Sequence, residues 1–149
     1  MGKIEDEIHQ QAFRNALQKA MLNLIFTSNW LQHKSHDFFK PFRITPQQFN
    51  VLRILKGQYP KGISAAEIKI RMLDQNSDVS RILDRIASKN LITRRTCPTD
   101  KRASDVFISE TGSKLLAEIE KPLQSFDQLL KLSPKEAEQL SNLLDKSRG

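Results

Sequence analysis

The sequence predicts a mostly α fold carrying one small β-hairpin, and three observations lead there. Apolar residues recur at helical spacing over both ends of the chain, helix-start signals punctuate its middle, and two short alternating runs flank a turn near residue 100. The composition agrees: 38% hydrophobic and 28% charged residues, with only 5 Gly and 6 Pro in 149, is the balance of a water-soluble helical protein. No apolar run approaches a membrane span, so no membrane partner is expected.

The first segment places Ile4, Ile8, Ala12, Ala16, Ala20, Leu24, Ser28 and Leu31 on one stripe, widened by Phe13, Leu17, Met21 and Ile25. That spacing predicts one helix of roughly eight turns, closed by Pro41. A helix of that length exceeds what a small domain covers, so its apolar face is expected to meet another chain. Thr45-Pro46-Gln47-Gln48 then reads as a capping box with proline at the first helical position. Ser64-Ala65-Ala66-Glu67 and Ser133-Pro134-Lys135-Glu136 repeat the device, because the first amides of a helix need side-chain acceptors. Asn76-Ser77-Asp78 opens a further helix.

Two short helices, about 64–72 and 77–89, are thus separated by a few residues around Leu73, Asp74 and Gln75, which is helix-turn-helix spacing. Asn90 stands where a helix ends in a left-handed residue. Residues 91–97 and 104–109 read as two strands, with Val106 and Ile108 on one face and Phe107 on the other. Pro98 to Arg102 form the tip. Leu115, Leu116, Ile119, Leu123, Phe126, Leu129 and Leu130 make a penultimate helical stripe, and Ala137, Leu140, Leu143 and Leu144 a short last one. The whole is a helix-turn-helix with a hairpin wing: a winged helix-turn-helix in a helical homodimer.

The net charge of +7, from 24 basic and 17 acidic residues, favours polyanionic partners. Placement is more telling than the total. On the 77–89 helix, Val79, Ile82, Leu83 and Ile86 fall in one arc and must face the core. The opposite arc is Ser77, Arg81, Asp84 and Ser88, edged by Ser80 and Arg85. Short polar and guanidinium side chains of this kind enter a DNA major groove, where Arg bonds guanine edges. The adjoining hairpin carries Arg94 and Arg95 on its strand and Lys101 and Arg102 at its tip, where Arg102 can enter a minor groove and Asp100 can hold it by an ion pair.

The hairpin resembles the wing of the MarR family of bacterial regulators, whose pattern is Asp-x-Arg, three residues, an apolar position, then Leu/Ile-Thr/Ser and a Gly. Here it runs Asp100-Lys101-Arg102 through Val106, Ile108-Ser109 and Gly112. Val79 to Ile86, followed by Asn90-Leu91-Ile92, is similar to the family's recognition helix and the start of its wing, with Asn90 in place of the usual glycine. The resemblance implies a two-fold dimer formed by residues 1–44 and 113–149, with 45–112 as the DNA-binding lobe. It also implies double-stranded DNA with a palindromic operator as partner, its half-sites about one turn apart, and repression as the commoner mode. A small aromatic or phenolic anion is the effector class it implies. Trp30, His33, Phe38, Phe39 and Phe42 are the candidate walls, with Lys40 or Arg43 as counter-charge; the other reading of these aromatics is hinge packing.

His33, His36 and Asp37 offer i, i+3, i+4 ligand spacing, but no second ligand cluster accompanies them, and they are read as surface residues rather than a metal site. The lone Cys97 cannot form an internal disulfide and is read as a structural thiol in the wing strand. One cysteine, and an opening Met-Gly-Lys-Ile-Glu-Asp-Glu unlike a secretory signal, give the cytoplasm as the expected compartment. No nucleophile elbow, phosphate loop or His-Glu-x-x-His occurs, so neither catalysis nor a cofactor is expected. The alternative to a DNA-binding regulator is a winged-helix protein-interaction module.

Overall fold

The structure, a computed structural model, describes residues 2–96 and 104–149. The chain divides into two compact units, Met1–Phe49 and Asn50–Gly149.

The first unit departs from the expected single helix. α1 spans only Ile4–Glu7, and α2 runs from Ala16 to Phe39. Between them His9 turns left-handed at φ 52°. Asn15 then starts α2, its side chain accepting from the Gln18 amide at 2.8 Å while the Gln18 side chain accepts from the Arg14 amide at 2.6 Å. The break has a solvation cause: Ile4 at the end of a straight helix would stand in water, whereas here it is 5% exposed. Lys19 donates to Glu5 and fastens α1 back onto α2. A 3₁₀ turn, Lys40–Phe42, follows α2 around Pro41, and Arg43 leaves it at φ 58°. Phe39 is buried against Phe49, with rings stacked at 4.6 Å, and against Phe38 edge-on at 4.9 Å.

α3 (Pro46–Gln58) begins where the sequence places it. Thr45 Oγ1 accepts from the Gln48 amide at 3.1 Å, and the Gln48 side chain accepts from the Thr45 amide at 3.2 Å. The second unit continues with α4 (Ala65–Arg71), α5 (Val79–Ser88), β1 (Ile92–Thr96), β2 (Ser104–Ile108), α6 (Glu110–Asp127) and α7 (Pro134–Ser147). Ser64 and Ser133 close reciprocal capping boxes with Glu67 and Glu136. The Glu136 carboxyl is held below its ordinary value, first by the backbone N–H of Ser133 and then by its hydroxyl. α6 stops at Asp127, so Leu129 and Leu130 lie beyond the helical stripe expected to contain them.

β1 and β2 pair antiparallel, with Ile92 opposite Ile108 and Arg94 opposite Val106. Ile63 adds a bridge to the hairpin, exchanging hydrogen bonds with Val106 at 3.1 and 2.8 Å. The core of this unit holds Val51, Leu52, Leu55, Ile68, Ile86, Val106 and Ile119, all essentially inaccessible to solvent. Each such side chain contributes roughly 1.5–3 kcal/mol of transfer free energy. Gly112 lets α6 approach the hairpin, since a Cβ there would collide with the Leu91 carbonyl.

Candidate nucleic-acid interface

The helix-turn-helix is assembled by three local devices. Asn50, itself buried, accepts through Oδ1 from the Leu73 amide at 2.9 Å, tying the exit of α4 to α3. Asp78 caps α5 by accepting from the Arg81 amide at 3.2 Å. At the far end Asn90 takes φ 60°, its amide donating to the Ala87 carbonyl at 2.9 Å and the Leu91 amide to the Ile86 carbonyl at 3.0 Å. That pair of bonds is a Schellman motif, which leads the chain straight into β1.

α5 is sharply two-sided. Val79, Leu83 and Ile86 are buried and Ile82 half-buried, while Ser80, Arg81, Asp84, Arg85 and Ser88 are exposed over one continuous arc. Ser77 does not belong to that arc. It precedes the helix, is buried, and donates its hydroxyl to the Asp74 carbonyl at 2.7 Å, because the cap falls one residue later at Asp78. Ser88 donates to the Arg85 carbonyl at 2.6 Å.

The strand cations separate as period-two geometry requires. Arg94 shares a face with Val106 and reaches α5, its guanidinium donating to the Asp84 carboxylate at 2.8 Å. Asp84 is therefore engaged with β1 and holds Arg94 beside α5. Arg95 lies on the opposite face, across from Asp105, with its guanidinium 5.6 Å from the Phe107 ring centroid. Gly62 leaves the space this ring occupies; a Cβ there would sit 2.6 Å from it. Asp100, Lys101, Arg102 and Cys97 lie outside the described residues.

Of the seven residues expected to line an effector cleft, three aromatics cluster around the end of α2 and Trp30 lies elsewhere along it. Phe38, Phe39 and Phe42 pack on one another, with Phe38 and Phe42 at 5.9 Å. His33, Lys40 and Arg43 are exposed. Trp30 instead helps to line a pocket of about 200 Å³ with Gly2, Ile4, Glu7, Asn23, Phe26 and Thr27. The sequence reading missed these partners because a straight helix would set Ile4 and Trp30 about 39 Å apart, at 1.5 Å per residue. The Asn15-x-x-Gln18 start was the signal that could have revealed the break. Among the described residues no three His, Cys, Asp or Glu side chains converge as metal ligands. None of the helices is long and apolar enough to cross a membrane, again among the described residues.

A helix-turn-helix with a paired hairpin behind it, presenting an exposed Ser/Arg arc, defines a winged helix-turn-helix protein. The profile of the MarR family matches residues 44–104. Over that stretch the chain is similar to the MarR family. It is similar to a MarR transcription factor from Planctomyces limnophilus, at 29% identity and a TM-score of 0.70, over 90% of this chain and 98% of that one. It is also similar to MepR of S. aureus in a complex with DNA, at 25% identity and a TM-score of 0.74, over 83% and 92% of the two chains. A Thauera aromatica protein assigned to transcriptional regulation of the hcr operon is 28% identical over 85 residues, 57% of this chain. The matched region spans about half the length of that curated relative.

Proposed function

We propose that this chain is a sequence-specific, double-stranded-DNA-binding transcription regulator that works as a homodimer on an inverted-repeat operator in the cytoplasm. The observation that carries this reading is the two-sidedness of α5, whose apolar face is buried while Ser80, Arg81, Asp84, Arg85 and Ser88 stand exposed beside a strand arginine. Such an arc fits a major groove: guanidinium groups read guanine edges, and hydroxyls bond bases or phosphates. MepR, similar in fold, has been solved on DNA. In this reading residues 45–112 form the DNA-binding lobe, with Arg102 and Lys101 of the wing tip reaching the minor groove.

Residues 1–44 and 113–149 supply the dimer contacts. Leu17, Met21, Leu24 and Ile25 fall on one face of α2 and are 49–76% exposed, and α7 has no buried residue although Leu140 and Leu143 lie on it. A second copy covering these faces removes apolar surface that monomers avoid presenting. Regulation is repression, relieved when a small-molecule effector binds.

Selection of bound fragments from a random DNA pool tests the reading. An inverted repeat with half-site centres about 34 Å apart is expected. On the selected site Arg81→Ala costs roughly 1–3 kcal/mol at particular base pairs, whereas loss of a phosphate contact weakens all sequences alike and lowers the salt slope by about one. Recovery of no enriched sequence at low salt, or unchanged affinity in Arg81→Ala, overturns it.

A further inference from the structure

We infer that the pocket beneath α1 binds a small primary ammonium ligand bearing one aromatic ring. Its walls are chemically sorted. Trp30, Phe26 and Ile4 provide apolar and ring surface, while Glu7, Asn23 and Thr27 provide oxygen acceptors. Among the described residues of that lining Glu7 is the one with an ionisable side chain, and no lysine, arginine or histidine takes part. An aromatic carboxylate or phenolate brought here meets a carboxylate and, among the described lining residues, no cationic side chain, so an anion of the kind expected at Trp30 suits this pocket less well than a cation.

Three carboxylates surround the pocket on α1, against Lys3 at the cap of that helix. α1 holds Glu5, Asp6 and Glu7 in succession, and Lys19, the cation that reaches it from α2, is committed to Glu5. One Glu7 oxygen already accepts from the Gly2 amide at 2.7 Å, which fixes the carboxylate in place. Thr27 donates to Asn23 Oδ1 at 3.2 Å, so the two polar side chains of α2 are held together, and each oxygen keeps a lone pair that can accept from a donor. An ammonium group supplies three such donors, and ring faces attract its charge as well. A pocket of about 200 Å³ is smaller than those that take drug-sized molecules, which limits the ligand to one ring and a short chain.

Binding at this pocket stands apart from DNA recognition, but its regulatory consequence rests on the function proposed above. Trp30 is the only tryptophan in the chain, so its fluorescence reports on the pocket directly. The full-length protein is titrated with phenethylammonium and, in parallel, with 3-phenylpropanoate as an anion of similar size. Saturable fluorescence change with the amine and none with the anion is expected, with the amine Kd raised at least ~10-fold in Glu7→Gln through loss of a charge-assisted hydrogen bond. Because Glu7 also holds Gly2, Thr27→Val is measured beside it and is expected to weaken the amine by a smaller factor, with an unchanged melting curve. No saturable change with the amine, an equal response to the anion, or undiminished affinity in both variants overturns the inference. Amine binding by a protein that selects no DNA sequence leaves the pocket standing and removes the regulatory reading alone.

Discussion

The two compact units differ in how they dispose of their apolar side chains. In 50–149, seven large aliphatic residues from α3, α4, α5, β2 and α6 are almost wholly inaccessible. In the unit ending at Phe49, the buried apolar residues are Ile4, Phe39 and Ile44, while four on α2 remain about half to three-quarters exposed. The lobe carrying α5 has the interior of a self-supporting domain. The first unit, like α7, leaves apolar surface exposed, and in the proposed dimer the stripe on α2, a helix about 36 Å long, is covered by a second chain. The polar arc of α5 rests on a buried interior, and in the proposed dimer the spacing between two such arcs is set by the residues that join the copies.

The sharpest way to break this contrast is to charge the reserved stripe. Met21→Glu with Leu24→Glu should remove roughly 3–6 kcal/mol of association free energy, at about 1.5–3 kcal/mol per large apolar side chain. Sedimentation is expected to show single chains, with helix content and the melting of the lobe nearly unchanged. A variant that remained dimeric would place the interface elsewhere.

Glycine substitutions probe the complete lobe. Gly112→Ala should cost about 1–3 kcal/mol, since the added methyl meets the Leu91 backbone and Ile108. Gly57→Ala, at an exposed position of α3 with nothing within 4 Å, should instead stabilise by about 0.5–1 kcal/mol. Thermal unfolding of both variants measures the two signs, and equal effects would contradict the packing of α6 on the hairpin.

Smaller still is the effect at Asn90. With φ at 60°, Asn90→Ala is expected to lose about 1 kcal/mol and Asn90→Gly to be neutral or slightly stabilising. Chemical denaturation distinguishes the pair, and a neutral alanine variant would show that the turn tolerates a different backbone.

Legibility in the sequence follows the same division. Capping at Thr45, Ser64 and Ser133 and the left-handed turn at Asn90 are decided by neighbours a few residues away, so α3, α4, α7 and the exit of α5 stand close to where local chemistry puts them. The same locality misplaced Ser77, because two adjacent residues can each cap a helix and only packing selected Asp78. Arg94 and Arg95 were grouped by type, yet strand alternation sends them to opposite faces, and the partnership of Arg94 with Asp84 depends on how α5 meets β1. The break after α1 was hidden for a different reason. Ile4, Ile8, Ala12 and Ala16 keep four-residue spacing straight through it, with no Gly or Pro to mark a stop. What ends the helix is the burial gained when Ile4 folds back, a tertiary effect that periodicity cannot register.

One ion pair reinforces that fold-back and gives the smallest expected effect, the one most specific to the first unit. The hydrogen bond from Lys19 is the main cause that holds the Glu5 carboxyl below its ordinary 4.5. A depressed carboxyl stabilises the state that depresses it at pH above 4.5, and the contribution disappears as pH falls through the lowered value. Glu5 is partly solvent-accessible, so screening keeps the effect modest. Hydrogen exchange should locate it: the Ile8 and Gln10 amides, bonded to the Ile4 and Glu5 carbonyls, should lose protection below about pH 4.5. Lys19→Met should flatten that dependence without altering exchange in α5. Uniform loss across both units on acidification would mean that the α1 clasp is not a separate step, and the contrast between a complete lobe and a conditional first unit would weaken with it.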